Sequence, residues 1–278
     1  MAKTENPYRP VRAKIVDLRD LTPETRLFQV KLVDPKAARD FDYRPGQFCQ
    51  ISALGTGEAP ISISSSPTRP GLLEFCIRRV GRTTSALHRL NPNDEVGIRG
   101  PYGNGFPVDY MEGKDVLIVA GGVGLAPVRS LLLYILDNRD QFRSVTLLYG
   151  ARSLEDMLFR EELKTLERHP DLNILLTLDS GDTRLWPFRT GLVTSLFEEI
   201  TVAPKTVAAV CVPPVAYKFV TKGLLDKGIS GEDIFMSLER KMHCGIGKCG
   251  CCAVGSKYCC QDGPVFTYWD ALNLPDMI

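Results

Sequence analysis

No sign of charge dominates this chain: 34 Lys and Arg stand against 33 Asp and Glu, a net charge of +1 over 278 residues. That balance gives no electrostatic reason to expect DNA, RNA or an anionic membrane as a partner. Long apolar runs are also missing. The longest, Val116 to Val128, contains three glycines and a proline and falls short of the roughly 18 residues that a membrane span needs. The first seven residues, Met1 to Pro7, carry no apolar signal segment, so export is not expected. No internal repeat or low-complexity tract stands out. Hydrophobic residues at 44% and charged residues at 24% describe an ordinary globular chain, and its length leaves room for two domains or a domain plus an appendage.

What the chain has in quantity is cysteine, gathered at one end. Six of the nine cysteines lie between Cys244 and Cys260. Cys244, Cys249, Cys252 and Cys260 read as C-x4-C-x2-C-x7-C, and the first three have the opening spacing of a plant-type 2Fe-2S loop. Four thiolates must then converge on a small volume. Gly245, Gly247 and Gly250 suit the tight wrapping and let backbone N–H groups approach the sulfurs. Zinc is a rival, since Cys249-x2-Cys252 would serve as a zinc knuckle and make the chain a zinc-stabilised, non-enzymatic binding module. Zinc sites usually offer two knuckles, however, and the glycine loop before Cys249 resembles neither. A disulfide framework is weaker still, because nine is odd and a chain this long needs no staples. Free thiols without export imply a reducing, cytoplasmic setting. Spacing favours Cys252 over Cys251 and does not decide between Cys259 and Cys260.

From Val11 to about Pro107 short alternating runs predict strands at Lys14–Leu18, Thr25–Leu32, Gln47–Ser52 and Leu73–Arg78. Proline–glycine and proline–asparagine pairs between them supply turns, and the spacing predicts a small antiparallel barrel or sandwich. One helix is expected from near Thr83 to Leu90. The segment 59–66, Ala-Pro-Ile-Ser-Ile-Ser-Ser-Ser, sets hydroxyls on one face of an extended run. Gly81 to Ser85 lies where a strand hands over to a helix, a place that favours phosphate. His88 reads as a packed or surface residue, and Gly100–Pro107 as a rigid turn at a domain seam.

From Lys114 strands and helices alternate. Asp115–Ala120 is a continuous apolar run suited to a buried parallel strand; Gly121, Gly122 and Gly124 follow, and Pro127 opens a helix. Strand, glycine turn and helix together let a pyrophosphate sit on a helix N-terminus, although the turn is not G-x-G-x-x-G. Further strands are expected at Ser144–Tyr149, Leu172–Leu178, Thr206–Val212 and Ile234–Leu238, with helices at Glu155–Arg168, Thr190–Glu199 and Val215–Lys227. The pattern predicts a doubly wound parallel sheet with ligands at the C-terminal strand ends. Those ends carry Gly121 and Gly122, Gly150 and Arg152, and Cys211 with Pro213. The domains are expected at 8–108, 113–236 and 237–278.

Barrel, glycine-loop α/β domain and cysteine loop, in that order, resemble the ferredoxin–NADP reductase superfamily across nearly the whole chain. Within it the chain is similar to the flavin subunits of multisubunit redox enzymes, namely the gamma subunit of NAD(P)-linked nickel–iron hydrogenases (sulfhydrogenases) and the flavin subunit of anaerobic sulfite reductase. Gly-Glu-Ala-Pro-Ile-Ser at 57–62, Arg-Gly-Pro-Tyr-Gly-Asn-Gly-Phe-Pro at 99–107, Cys-Gly-Ile-Gly-Lys-Cys-Gly at 244–250 and Asp-Gly-Pro-Val-Phe at 262–266 carry the likeness. The resemblance implies FAD in the barrel. The superfamily's Arg-x-Tyr-Ser falls on Ala59, Pro60, Ile61 and Ser62, without its arginine and aromatic; Arg78, on the strand with Cys76 and Ile77, is the implied replacement. Gly81, Thr83 and Thr84 correspond to the phosphate turn, and Gly121, Gly122, Gly124 and Pro127 to the nicotinamide loop. Cys211 falls on the cysteine that approaches the nicotinamide, with Val212 where relatives carry glycine. The family's Tyr-x-Cys selects Cys260 through Tyr258. The implied cofactors are NAD(P)H, FAD and a 2Fe-2S cluster, and the implied partners are iron–sulfur and catalytic subunits of a redox complex. No general acid or base is expected to be essential for hydride transfer. The electron-transfer subunit of dihydroorotate dehydrogenase is the runner-up, since it typically has a longer gap between its third and fourth cluster cysteines.

Overall fold

In the computed structural model residues 6–180 and 189–274 are described. Met1 to Glu5, most of the segment read as lacking a signal, and the last four residues of the third expected domain lie outside them.

Six strands form the first sheet: β1 (Val11–Asp20), β2 (Thr25–Leu32), β3 (Phe48–Ala53), β4 (Gly57–Ser62), β5 (Leu73–Arg78) and β6 (Glu95–Tyr102). Their order is β4-β3-β6-β1-β2-β5, antiparallel throughout. A bridge between Ile63 and Phe75 brings the end of β4 back to β5 and closes the barrel. Inside it Ile15, Phe28, Ile51, Phe75, Ile77 and Ile98 are all but sealed from water. Two short helices, α1 (Pro35–Asp40) and α2 (Arg82–Leu87), flank the strands. The sequence pattern misses β4 and β6 because both carry glycine and proline, which mark an edge strand or a bend. β4 is indeed an edge, and the expected turn at 100–107 is partly the end of β6. His88 packs on Phe28, with ring centroids 5.9 Å apart.

The second sheet contains β7 (Val116–Gly121), β8 (Val145–Ala151), β9 (Leu172–Leu178), β10 (Arg189–Thr190), β11 (Val207–Cys211) and β12 (Ile234–Ser237), all parallel. Helices α3 (Val108–Met111), α4 (Leu125–Asp137), α5 (Arg160–Leu166) and α6 (Pro214–Asp226) run between or beside them. Both faces are covered. On β7, Val116, Ile118 and Ala120 join one apolar cluster with α4, while Leu117 and Val119 join another with α6. Two expected helices are shorter than their patterns suggest. The segment from Glu155 turns through a left-handed Phe159 (φ 52°) before α5 begins. Thr190 ends β10, and a 3-10 turn occupies Val193–Glu199.

After β12 the cysteine segment forms a small hairpin of β13 (Ala253–Val254) and β14 (Lys257–Tyr258), then β15 (Val265–Thr267) and α7 (Tyr268–Asn273). β15 pairs antiparallel with β12, so the tail extends the nucleotide sheet by one strand. Among the described residues no helix is long and apolar enough to cross a membrane.

Arg129 of α4 pins the barrel to the second sheet. Its guanidinium, 8% exposed, meets the carboxylates of Glu74 at 2.6 Å and Glu162 at 2.8 Å and the carbonyl of Ser64 at 2.9 Å. Ser130 donates to the carbonyl of Ser65, and Arg69 pairs with Asp137. Ser64, Ser65 and Ser66 are all buried; they form part of this seam, not the hydroxyl face that alternation predicts. Burial raises the Glu74 carboxyl, but Arg129 outweighs that and holds it below the usual value of 4.5. A depressed carboxylate contributes stability above its unfolded value and loses it as pH falls through the folded one. Arg129→Ala should therefore cost about 3 kcal/mol in urea unfolding at neutral pH, by stranding two carboxylates. The gap from wild type should shrink below pH 4.5.

Candidate functional site

Between the barrel and the second sheet lies a cleft of about 320 Å3. β4 contributes Ala59, Pro60, Ile61 and Ser62, β5 contributes Cys76 and Arg78, and α2 contributes Thr84. Val123, Ala126 and Pro127 form the opposing wall at the start of α4, and Ser237 to Arg240 with Met242 close the third side. Eight of the residues singled out in the sequence thus meet in one place. A larger cleft of about 470 Å3, between Asp20–Pro23 and Leu154–Arg160, contains none of them.

The remaining candidates are not in its lining. Ile77 points into the barrel core. The Thr84 hydroxyl accepts the N–H groups of Val80 and Gly81, both at 3.0 Å, so it organises the turn that begins α2. Thr83 donates to the carbonyl of Thr56. Gly121 and Gly124 are required by close packing: a Cβ on Gly124 would lie 2.1 Å from the Cys211 carbonyl oxygen, and one on Gly121 would lie 3.0 Å from Pro213 Cδ. Gly122 has φ +54° and open space where a side chain would be, as a backbone approached by a ligand requires. Gly150 lets Val193 pack against β8. Arg152 is exposed at the end of β8, 3.3 Å from Asp156.

Cys211 does not reach the cleft surface. It is 2% exposed beneath Gly124, its Sγ 3.6 Å from the Ser237 carbonyl. Burial pushes its thiol far above the ordinary range, so it is a neutral packing group and not a thiolate. Sequence reasoning missed Phe48, Val80, Val123, Ala126, Pro264 and the run Ser237–Met242. The last had a usable signal, since it follows a parallel strand at its C-terminal end, where ligands gather.

Immediately beyond Met242 the cysteine loop begins. Cys244, Cys252 and Cys260 are buried and Cys249 is exposed. The N–H groups of Ile246, Lys248 and Cys249 point at Cys244 Sγ from 3.4, 3.3 and 3.4 Å, and that of Gly247 at Cys260 Sγ from 3.1 Å. Left-handed glycines make this possible. Gly245 (φ +74°) lies against the Tyr102 ring and Gly247 (φ +72°) against the Gln261 amide, and both have the left-handed backbone that side chains rarely adopt. Hydrogen bonds from the Cys251 and Cys244 backbones, then from the Cys244 thiol, lower Cys249 to about 6. Burial pushes Cys260 up to about 12, with Cys252 and Cys244 as its thiol neighbours. Cys259, fully buried, joins the apolar cluster around Phe266 and Val254. Cys251 is exposed, its sulfur 3.9 Å from the Cys249 carbonyl oxygen. Among the described residues no three or more His, Cys, Asp or Glu side chains are placed to hold a single metal ion. Thiols ringed by converging N–H donors fit an anionic iron–sulfide centre, whose sulfur ligands need such bonds.

Three family models match the chain. Residues 12–106 match the oxidoreductase FAD-binding domain, 118–222 the oxidoreductase NAD-binding domain, and 239–271 the iron–sulfur cluster binding domain of dihydroorotate dehydrogenase B. The chain is 45% identical to the sulfhydrogenase 2 subunit gamma of Pyrococcus furiosus, over 98% of this chain and 100% of that one. It is 34% identical to a probable dihydroorotate dehydrogenase B electron transfer subunit of Thermococcus kodakarensis, over 84% and 90%. Among solved structures, an NADH-dependent reduced ferredoxin–NADP oxidoreductase superposes with a TM-score of 0.75 at 25% identity, covering 98% of this chain and 93% of that one. The protein therefore belongs to the ferredoxin–NADP reductase family, in the branch that includes the sulfhydrogenase gamma subunits and carries an iron–sulfur domain after the nucleotide-binding one.

Proposed function

We propose that this chain is the NAD(P)H-oxidising, or NAD(P)+-reducing, flavin and iron–sulfur subunit of a multisubunit redox complex, in a reducing, cytoplasmic compartment. Its electrons would pass to or from the iron–sulfur and catalytic subunits of a hydrogenase, sulfite reductase or related partner. The observation that carries this reading is contiguity: Met242 lines the cleft between barrel and nucleotide sheet, and Cys244 opens the cysteine loop two residues later. The identity over essentially full length to a sulfhydrogenase gamma subunit favours a hydrogenase-type partner over the dihydroorotate dehydrogenase reading, whose relative matches less of the chain at lower identity. The FAD- and NAD-binding matches leave the zinc-module reading without support.

The work divides among 8–108, 113–236 and 237–278. Residues 59–62 and Cys76 would face the isoalloxazine, with Arg78 at the pyrophosphate and Gly81, Thr83 and Thr84 at the phosphate turn. Gly121, Gly122, Gly124 and Pro127 would shape the nicotinamide site over Cys211 and Pro213, with Gly150 and Arg152 toward the adenosine. Cys244, Cys249, Cys252 and Cys260 would hold a 2Fe-2S cluster. FAD, when bound, takes up hydride and releases electrons singly, which a nicotinamide cannot do and a 2Fe-2S cluster needs. The chain's own residues position the rings and exclude water; Cys211, neutral and buried, offers a packing surface and moves no proton.

Anaerobically purified protein should contain flavin with iron and acid-labile sulfide in equal amounts, and zinc in a colourless protein would end this reading. Cys244→Ser should abolish the cluster's electron paramagnetic resonance while NAD(P)H still bleaches the flavin. Gly124→Ala should slow that bleaching roughly 100-fold by shifting the nucleotide loop about 1 Å, yet leave reduction by dithionite unchanged; equal slowing of both would contradict the loop's role.

A further inference from the structure

One arginine outside the cleft touches both halves of this site. Arg99, on β6, has a side chain only 2% exposed. Its Nε and Nη2 form a fork on Glu58, at 2.8 and 2.5 Å. Its Nη1 reaches the Cys244 carbonyl at 3.0 Å, the Tyr102 hydroxyl at 2.8 Å and the Pro7 carbonyl at 3.1 Å. The guanidinium also stands over the rings of Tyr8 and Tyr102, 5.8 and 5.6 Å from their centroids. Glu58 immediately precedes Ala59–Ser62, the β4 wall of the cleft, and β4 takes its ladder hydrogen bonds from β3, with the Ile63–Phe75 bridge just beyond its end. Cys244 is the residue whose sulfur collects three backbone N–H groups.

We propose that Arg99 is a positioning residue that ties the first cysteine of the cluster loop to the flavin-side strand, and that the Arg99–Glu58 pair sets the electrostatic environment of the cluster. This rests on the iron–sulfur reading given above. The geometry needs a guanidinium: one side chain must grip a carboxylate with two nitrogens and still turn a third toward a carbonyl on another segment. A lysine ammonium, a single point of charge, cannot span all three. The charges matter because each electron taken up makes a cluster more negative, and a nearby positive charge favours that state while an unpaired carboxylate opposes it. With the pair intact the two charges nearly cancel. Removing either member leaves the other uncompensated in a poorly solvated place.

The two halves of the pair therefore give opposite signatures. Arg99→Gln leaves Glu58 unpaired and should lower the cluster's midpoint potential in a redox titration followed by electron paramagnetic resonance. Glu58→Gln leaves Arg99 unpaired and should raise it. Loosening of the loop alone would move both variants in the same direction. Arg99→Lys keeps the charge and loses the anchor: its potential should stay near that of wild type, while bleaching of the cluster by an iron chelator speeds up about tenfold. Should Arg99→Gln not accumulate as folded protein, the other two variants decide the matter. Iron-loaded variants whose potentials and chelator resistance match wild type would overturn this inference alone. A wild-type protein without iron would overturn it together with the function proposed above.

Discussion

A buried arginine between two carboxylates joins the two larger units of this molecule. The cleft lies between a closed barrel and an open sheet, and Arg129 of α4 links the two, meeting Glu74 on the barrel and Glu162 on α5. Such a triad is not in itself a large source of stability, since desolvation offsets most of the attraction. Its effect is on geometry: with three charges and the Ser64 carbonyl satisfied at once, few other arrangements of the two units avoid stranding a charge. The ring of Phe159, 4.4 Å from the guanidinium carbon, covers the remaining face.

A second constraint operates at the other end of the cleft. The cysteine segment does not hang from the nucleotide domain as an appendage, because β15 completes the sheet beside β12. Asn104, just beyond β6, donates to the carbonyls of Asp262 and Val265 and accepts from the N–H of Val265. Gly103 passes so close to Gly263 that a Cβ there would lie 2.4 Å from its carbonyl oxygen. The stretch that reads as a plain domain seam is thus a three-way contact. Barrel, sheet and cysteine loop share hydrogen bonds, which suits a site where electrons must cross fixed distances.

Much of the site was legible residue by residue. The glycines at 121, 122 and 124 announced a tight strand-to-helix turn, and the structure assigns each a separate physical reason. The cysteine spacing indicated a thiol-lined loop, and the backbone delivers N–H groups to the sulfurs of Cys244 and Cys260. Elsewhere local pattern misled. The serines at 64–66 read as part of a hydroxyl face on an extended run and proved to be seam, because burial there is decided by α4 and not by strand alternation. For Cys211 the sequence left a buried core thiol and a ligand-facing one both open; it lies under Gly124, since the glycine's missing side chain lets the helix turn settle over it.

From the sequence by itself follow the class of each unit, their order, and a cysteine loop whose first three members, Cys244, Cys249 and Cys252, have spacing suited to an iron–sulfide centre. These depend on interactions between residues close in the chain: alternation, turn chemistry and short-range ligand spacing. Only the tertiary structure decided that the cleft is walled by Ser237–Met242, that Arg99 and Arg129 are buried between distant segments, and that the tail joins the sheet. Those outcomes depend on which charges and backbone groups, far apart in sequence, must satisfy one another once water is excluded.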